Sequence, residues 1–349
     1  MSAHRTNPVT GVCQAGAKGG RTCTGWGNRA LGIDQWWLDA ALSDLVARTR
    51  HVIAVDVGGT ETKAALVAGT ALDVRAVRQR RRATTRDAEA VVDDVASLVE
   101  DLRAGGDAEI EAVGLVVPGV VDEDNGIGVY SANLKWQDYP FVKEVEARTG
   151  LKTAFGHDVR AGGLAELRIG NARGLQNAVI MPIGTGIAAA LVLDGRIYRG
   201  DGSVGEVGHV DVGHGDPCGC GQTGCVEARA SSAAIARRYS ERTGNPVNGA
   251  AEVAGLVRAG DPDAVTVWQE AVDALARGIL LVAALLGPEA VVLGGGLALA
   301  GPLLVDPLRD RLDGLITFQR RPELRLAALG DEAGCLGAAL LAIDMLEER

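Results

Sequence analysis

The chain is poor in aromatic residues, which make up only 3% of its 349 positions. Ala, Val and Leu must therefore fill the core, which suits an α/β enzyme better than an aromatic-rich binding sandwich. Cysteine is also sparse. Six residues in a chain this long do not make a secreted disulfide scaffold, and a reducing cytoplasm is the expected setting. Positive charge is in deficit: 35 Lys and Arg stand against 45 Asp and Glu, a formal charge of −10. With no basic face standing out, nucleic acid is not an expected partner, because phosphate binding needs clustered cations. No apolar run approaches the ~20 residues of a membrane span. The longest, GILLVAALLG (278–287), reads as a buried helix ending at Gly287-Pro288. No charged-then-apolar signal peptide opens the chain. Neither the P-loop pattern nor G-x-G-x-x-G occurs, so Walker and Rossmann nucleotide sites are excluded.

What is present is length and glycine. A chain of 349 residues exceeds the size at which one core keeps growing, so two domains are expected. Residues 1–49 stand apart as an N-terminal extension, Gly-, Thr- and Asn-rich at first, then carrying an amphipathic helix pattern from Ile33. An α/β body follows. HVIAVDVGGTETKAALVAG (51–69) is two apolar strands broken at Gly58-Gly59, and AVIMPIGTGIAAALVLDG (178–195) repeats that layout. The repetition suggests an internal duplication, two αβ halves facing a cleft. Helices are expected over 86–104, 140–149, most of 229–286 and 333–347, and strands over 112–119 and 290–296.

Three glycine turns follow apolar strands: DVGGT (56–60), IGTG (183–186) and LGGG (293–296). Glycine there permits φ > 0 and lets backbone N–H groups approach a ligand, forming anion nests supplemented by Thr60 and Thr185. One such turn is usually just a hairpin. Three together, the first with Asp56 in its strand end, point to nucleotide phosphates and Mg²⁺, which prefers oxygen ligands. That suggests phosphoryl transfer. His157-Asp158 sits at a strand-to-helix junction, where the carboxylate is either a helix cap or a base.

Cys218, Cys220 and Cys225 have C-x-C-x4-C spacing. Redox pairs use C-x-x-C, which is absent. Three thiolates and one imidazole make a closed, structural Zn²⁺ site, with His209 or the nearer His214 as fourth ligand.

In order, DVGGTETK, VPGVVD (117–122), SANLKW (131–136), HDVRAGGLAE, IGTGIAAALVLDG, GEVGH, CGCGQTGCVE and VVLGGG resemble the ROK family of bacterial sugar kinases and repressors. Glucokinases of that family look most similar. The resemblance implies the actin-like ATPase (ribonuclease H-like) fold, with two α/β domains closing over ATP and a sugar. The expected small domain is 50–156 with 333–349, and the large domain is 157–332. It implies Asp158 as the base that takes the proton of a sugar 6-hydroxyl. Gly119, Asn133, His157, Asp158, Glu206, His209 and Glu227 would line the sugar pocket. Asp56, Gly58, Gly59, Thr60, Gly184, Thr185 and Gly186 would face the phosphates, with Gly294 and Gly295 near the adenosine. It favours His209 as the zinc ligand beside Cys218, Cys220 and Cys225. The family usually has Asn where His157 stands. Neutral His offers one donor and one acceptor on a larger ring. A glucose-like sugar altered near C3 or C4, such as kanosamine, therefore rivals glucose, and N-acetylmannosamine is a further alternative. The expected cofactors are ATP, Mg²⁺ and structural Zn²⁺, and the expected assembly is a homodimer. The other class in the family, a repressor, needs a two-helix DNA-binding motif, and the first fifty residues carry one clear helix pattern.

Overall fold

The structure, a computed structural model, describes residues 48–348 except 107 and 132. The amphipathic pattern from Ile33 lies outside the described residues.

The body begins with an antiparallel meander, β1 (Arg50–Val57), β2 (Glu61–Thr70) and β3 (Asp73–Ala83). Helix α1 (Ala88–Arg103) leads to β4 (Ala112–Val117), parallel to β1. A small antiparallel sheet then intervenes: β5 (Val120–Asp122), β6 (Ile127–Ser131) and β7 (Trp136–Tyr139). Helix α2 (Phe141–Thr149) returns the chain to β8 (Thr153–His157), parallel to β4, and α3 (Asp158–Ile169) follows directly. The first sheet has the order β3-β2-β1-β4-β8.

The second sheet repeats this plan. β9 (Ala178–Pro182), β10 (Ala190–Leu193) and β11 (Arg196–Tyr198) form its meander. Four helices follow: α4 (Val226–Ala230), α5 (Ser232–Thr243), α6 (Ala250–Ala259) and α7 (Pro262–Leu286). β12 (Ala290–Gly294) is parallel to β9 and runs into the short α8 (Gly295–Ala298). Then α9 (Pro302–Leu315), β13 (Glu323–Leu326) and α10 (Ala333–Glu347) close the chain. The order β11-β10-β9-β12-β13 matches the first sheet position for position, with two parallel strands beside each meander. The duplication read from the two glycine hairpins is therefore a duplication of topology.

Burial explains which strands are nearly continuous in apolar residues. Ile53, Val55 and Val57 of β1 face α1, while Val52 and Ala54 face α10, and all five are fully buried. A strand covered on both faces needs no polar alternation. Helix α1 is started by Asp87, whose side chain accepts from the Ala90 N–H, and Val91, Val95, Leu98 and Leu102 recur at helical spacing on its buried face. Helix α7 starts at Asp261-Pro262 and ends at Gly287, whose φ of +52° gives the left-handed cap. Its C-terminal half is only partly buried, because Leu281 and Leu285 are exposed. The expectation of a buried helix there holds for one face, with Gly278, Ile279, Val282 and Ala283, and is corrected for the other.

β3 shows what composition concealed. It is an edge strand carrying Arg75, Arg78, Arg80, Arg81 and Arg82, a local basic run within an acidic chain. Much of that charge is taken up locally. Arg78 donates to Leu102 O and Gly105 O beyond the end of α1, Arg81 pairs with Glu61 and Asp331, and Arg82 pairs with Asp94. Charged edges also resist strand addition by other chains.

The centre of the molecule is a layer of small residues. Helix α10 packs on β1, β4 and β8, and α3 packs both on α10 and on β10. A methyl group at Gly114 of β4 would lie 1.9 Å from Ala338 O, one at Gly337 would lie 2.0 Å from Ala161 O, and one at Gly163 would lie 2.3 Å from the Ala190 Cβ. Sheet, α10, α3 and second sheet thus stack nearly backbone to backbone. This stack fixes Asp158, the first residue of α3, relative to both sheets.

Candidate active site

Asp56 is the penultimate residue of β1, between Lys63 on β2 and Val116 on β4. Its carboxylate lies against the start of α10, where a methyl on Gly334 would come within 2.2 Å of Oδ2. Burial raises its pKa from the usual 3.8 to about 7; Asp158 adds to the rise, Lys63 opposes it and Asp331 raises it further. Two carboxylates, Asp56 and Asp158, therefore share one partly dry space without enough positive charge. A divalent cation would suit that donor set.

Asp158 is the first residue of α3, and Oδ1 accepts from the Val159 N–H at 2.7 Å. The preceding His157 is the helix N-cap but makes no side-chain cap bond, so neither residue serves as an ordinary cap. His157 is only 7% exposed. Its Nδ1 is 3.3 Å from Asp158 Oδ1, yet off the hydrogen-bond axis, and it has no hydrogen-bond partner. Burial holds the imidazole below its ordinary pKa, against the pull of Asp158, Glu206 and Glu123 and with the push of Arg160. The ring is thus biased to the neutral form, with one donor and one acceptor.

Glu206 precedes the single helical turn Val207–His209, and its Oε2 lies 3.9 Å from His209 Nε2. The other ring nitrogen, Nδ1, faces Cys218 Sγ at 3.6 Å, while Cys220 and Cys225 sulfurs are 3.7 Å apart. All four ligand atoms of His209, Cys218, Cys220 and Cys225 fall within 4.8 Å of one another. Tetrahedral Zn²⁺ with ordinary Zn–S and Zn–N bonds would set about 3.8 Å between sulfurs and about 3.6 Å between sulfur and nitrogen. The geometry is compatible with a structural zinc site. His214 is elsewhere: its Nε2 meets Cys225 O at 3.1 Å and its Nδ1 accepts from the Asp216 N–H at 3.3 Å. Nδ1 as acceptor makes Nε2 the donor, so His214 braces the knot from behind. Asp216 is held in turn by Arg229 at 2.7 Å.

Glu227, two residues after Cys225, reaches the second glycine turn. Its Oε2 accepts from the Ile187 N–H at 2.7 Å, and a methyl at Gly186 would lie 2.7 Å from the same oxygen. That turn in turn packs on the third: Ile183 N–H donates to Gly294 O at 2.9 Å, and Leu297 N–H donates to Ile183 O at 3.1 Å. Gly295 has φ +73°, and a methyl there would meet Ile183 backbone atoms within 2.7 Å. Among the turn glycines only Gly295 takes positive φ; Gly58, Gly59, Gly184, Gly186 and Gly294 do not. The freedom of glycine to take positive φ is thus used at Gly295 alone among these positions. At Gly59 and Gly184 a methyl would meet nothing within 4 Å, so their missing side chains leave the space above the turn open. Thr60 and Thr185 are exposed beside them.

The first turn is anchored separately. Gly58 N–H donates to Glu61 O at 3.0 Å, and Thr84 Oγ1 donates to Gly58 O at 2.8 Å. Among the described residues no hydrogen bond or ion pair joins this turn to the other two. Gly119, with φ +103°, packs against Tyr130 O at the start of β5, whereas Asn133 is exposed in the turn between β6 and β7. The structure thus forms two clusters. One is linked through charge from Asp56 to the adjacent Asp158 and His157, on to Glu206, and by proximity from Glu206 to His209 and the cysteines. The other joins Glu227 to the second and third turns, and the cysteine knot connects them.

Two meander-led sheets of equal order around paired glycine turns define the actin-like ATPase (ribonuclease H-like) class. The ROK family profile matches residues 52–345, and the chain belongs to that family. It is 33% identical over 314 residues to the glucokinase of Streptomyces coelicolor, covering 83% of this chain and 96% of that one. It is 32% identical over 305 residues to the kanosamine kinase of Amycolatopsis mediterranei, covering 84% of this chain and 96% of the relative. The solved ROK family glucokinase from Streptomyces griseus, in complex with glucose and AMPPNP, superposes with a TM-score of 0.74. Identity to it is 30%, over 84% of this chain and 99% of the neighbour. The family resemblance read from the motifs holds. Among the described residues, no helix is long and apolar enough to cross a membrane.

Proposed function

We propose that the protein is an ATP-dependent hexose kinase that transfers the γ-phosphate of ATP to the 6-hydroxyl of glucose or a glucose-like sugar. The observation that carries this reading is that Asp56, beside the first glycine turn, and α3, headed by Asp158, both lie against the start of α10 at Gly334, close enough for the Asp158 charge to act on Asp56. A base for the hydroxyl and a cation-holding carboxylate beside a phosphate nest are what phosphoryl transfer needs, since positioning and charge neutralisation supply most of the rate. Asp158 Oδ1 is occupied by the Val159 N–H, which leaves Oδ2 to accept the hydroxyl proton. Asp56 would hold Mg²⁺, which supplies charge neutralisation to the phosphates. Gly58, Gly59, Thr60, Gly184, Thr185 and Gly186 would offer the open backbone of the phosphate sites, and Gly294 and Gly295 the adenosine side. Gly119, Asn133, His157, Glu206, His209 and Glu227 would line the sugar.

Zinc in the knot would fix His209 through Nδ1, leave Nε2 beside Glu206, and hold Glu227 against Ile187. Four protein ligands leave no open position, so its role would be structural. The two sheets would move as two domains, with α10 belonging to the first, and closure would keep water from the phosphoryl group. A homodimer in the cytoplasm is the expected state.

Glucose is the first candidate substrate. The second, a sugar altered near C3 or C4 such as kanosamine, is favoured by the buried, neutral-biased His157 and by the similarity to a kanosamine kinase. Steady-state turnover over a panel of C2-, C3- and C4-modified glucoses separates them. Asp158→Ala is expected to lower kcat by roughly 10²–10⁴ with sugar binding retained. Sugar-dependent turnover that survived this change would remove Asp158 from its role. Operator binding without turnover on any sugar would make the chain a repressor.

A further inference from the structure

Three segments that the kinase reading places around the sugar converge on one buried ion pair. Arg160 is 4% exposed and lies three positions after His157, on the same face of α3. Its Nε donates to Glu123 Oε1 at 2.9 Å, and Nη2 lies 2.9 Å from the same oxygen, off the hydrogen-bond axis. Its Nη1 donates to Gly202 O at 3.1 Å. Glu123 follows β5, the strand that begins beside Gly119. Gly202 lies in the loop that leads from β11 to Glu206. That loop sits directly on β5: Gly202 has φ +93°, and a methyl there would come 2.4 Å from Val121 O. Arg199, at the start of the loop, pairs with the second Glu123 oxygen at 3.2 Å and with Asp124 at 3.4 Å.

We propose that Arg160 and Glu123 are positioning residues for sugar recognition: the pair sets the distance between the Gly119 turn, the His157-Asp158 helix head and the Glu206 loop. The inference rests on the sugar-kinase reading. Arg160 is rigidly tied to Asp158 by two residues of helix, so whatever it grips is registered to the base. It grips one wall by its carboxylate and the other by a backbone carbonyl. A guanidinium can do both at once because its donors are fixed in a planar fork, which an ammonium lacks. A buried ion pair is poor evidence of stabilisation, because desolvating both charges offsets much of their attraction. Its value here is geometric. Among the described residues neither side chain has a hydrogen bond or ion pair to the three glycine turns, so the effect is expected on the sugar and not on the nucleotide.

The test is a kinetic and calorimetric comparison of four variants: Arg160→Lys, Glu123→Gln, Arg160→Met, and Arg160→Met combined with Glu123→Leu. A single removal strands a buried charge and destabilises the fold. The double apolar variant removes both charges, and the mild Glu123→Gln variant keeps shape and one acceptor, so at least one informative variant folds. The expected result is a sugar KM raised tenfold or more in the double variant and roughly five- to tenfold in Glu123→Gln. The KM for ATP should stay within twofold, with sugar Kd by calorimetry moving in step with the sugar KM. Arg160→Lys should fall between wild type and the double variant. A folded double variant with wild-type sugar KM and Kd would overturn the proposal and leave the pair as packing. Equal rises in sugar and ATP KM would also overturn it. No sugar-dependent turnover in the wild type would overturn the kinase reading together with this inference.

Discussion

Replacing Asp56 by Asn separates what this carboxylate costs the fold from what it does for the reaction. Its pKa is raised from 3.8 to about 7, chiefly by burial. A folded-state pKa above the unfolded value means that the folded protein binds the proton more tightly. The favourable contribution of the neutral group is then complete below about pH 4, and is lost as pH rises through about 7. A shift of about three units at about 1.4 kcal/mol per unit gives about 4 kcal/mol. Because the side chain is half-buried and not sealed, solvent screening reduces this to roughly 2–3 kcal/mol. Asp56→Asn keeps the neutral shape at every pH and escapes that loss. In thermal melts without added Mg²⁺, the variant should match wild type near pH 4. It should exceed wild type by roughly 4–6 °C above pH 8, with the difference growing between those limits. Saturating Mg²⁺ and nucleotide should raise the wild-type melting temperature and leave the variant nearly unmoved, and the variant should lose turnover. A difference that is flat with pH, or opposite in sign, would refute the argument that Asp56 is held partly dry beside Asp158.

Other expectations concern the knot and the pocket wall. Zinc removal by a chelator, with metal content measured alongside, should raise the sugar KM before the ATP KM. Glu206, His209 and Glu227 are all tied to the knot, whereas the Gly58–Thr60 turn is anchored on Thr84. Cobalt substitution reads the ligand set by absorption: His209→Ala should alter the cobalt spectrum and His214→Ala should preserve it while speeding metal release. Glu227→Ala deletes a charge-assisted bond to the Ile187 N–H, of about 1.5–3 kcal/mol, and should cost roughly 10- to 100-fold in kcat/KM. His157→Asn should shift preference among glucose and its C3-modified analogues, scored as the ratio of their kcat/KM values; an unchanged ratio would remove His157 from specificity.

Much of the frame was legible in the residues because its central strands are buried on both faces. β4, β9 and β12 are unbroken apolar runs and β1 is one from Val52 to Val55, and the repeated hairpin layout foreshadowed the equal strand orders. β3 was not legible: DVRAVRQRRRA has the composition of a charged loop, and only its pairing with β2 and the acids around it make it a strand. The three strands of the small sheet are three to five residues long, too short for periodicity to separate from turns. Chain proximity pointed to His214 as the fourth metal ligand. The bridges Asp211 to Cys225 and Pro217 to Thr223 fold the segment back on itself, so the more distant His209 meets the thiols. The bond from Glu227 to Ile187 spans forty residues, and nothing in local spacing announces it. The Arg160–Glu123 pair was equally silent, since an Arg inside a helix and an acid in a turn ordinarily face water.

The stack of small residues at the centre bears on how such a molecule can move. Where Gly114 lies against Ala338, Gly337 against Ala161 and Gly163 against Ala190, there are no rotamers to change and no side-chain volume to redistribute. A contact of that kind behaves as a bearing: it tolerates small rotation and resists sliding. Opening and closing of the two sheets would then be concentrated in the loops around the stack, and a single methyl added at Gly337, where α10 meets Ala161 of α3, would obstruct the rotation without touching any ligand.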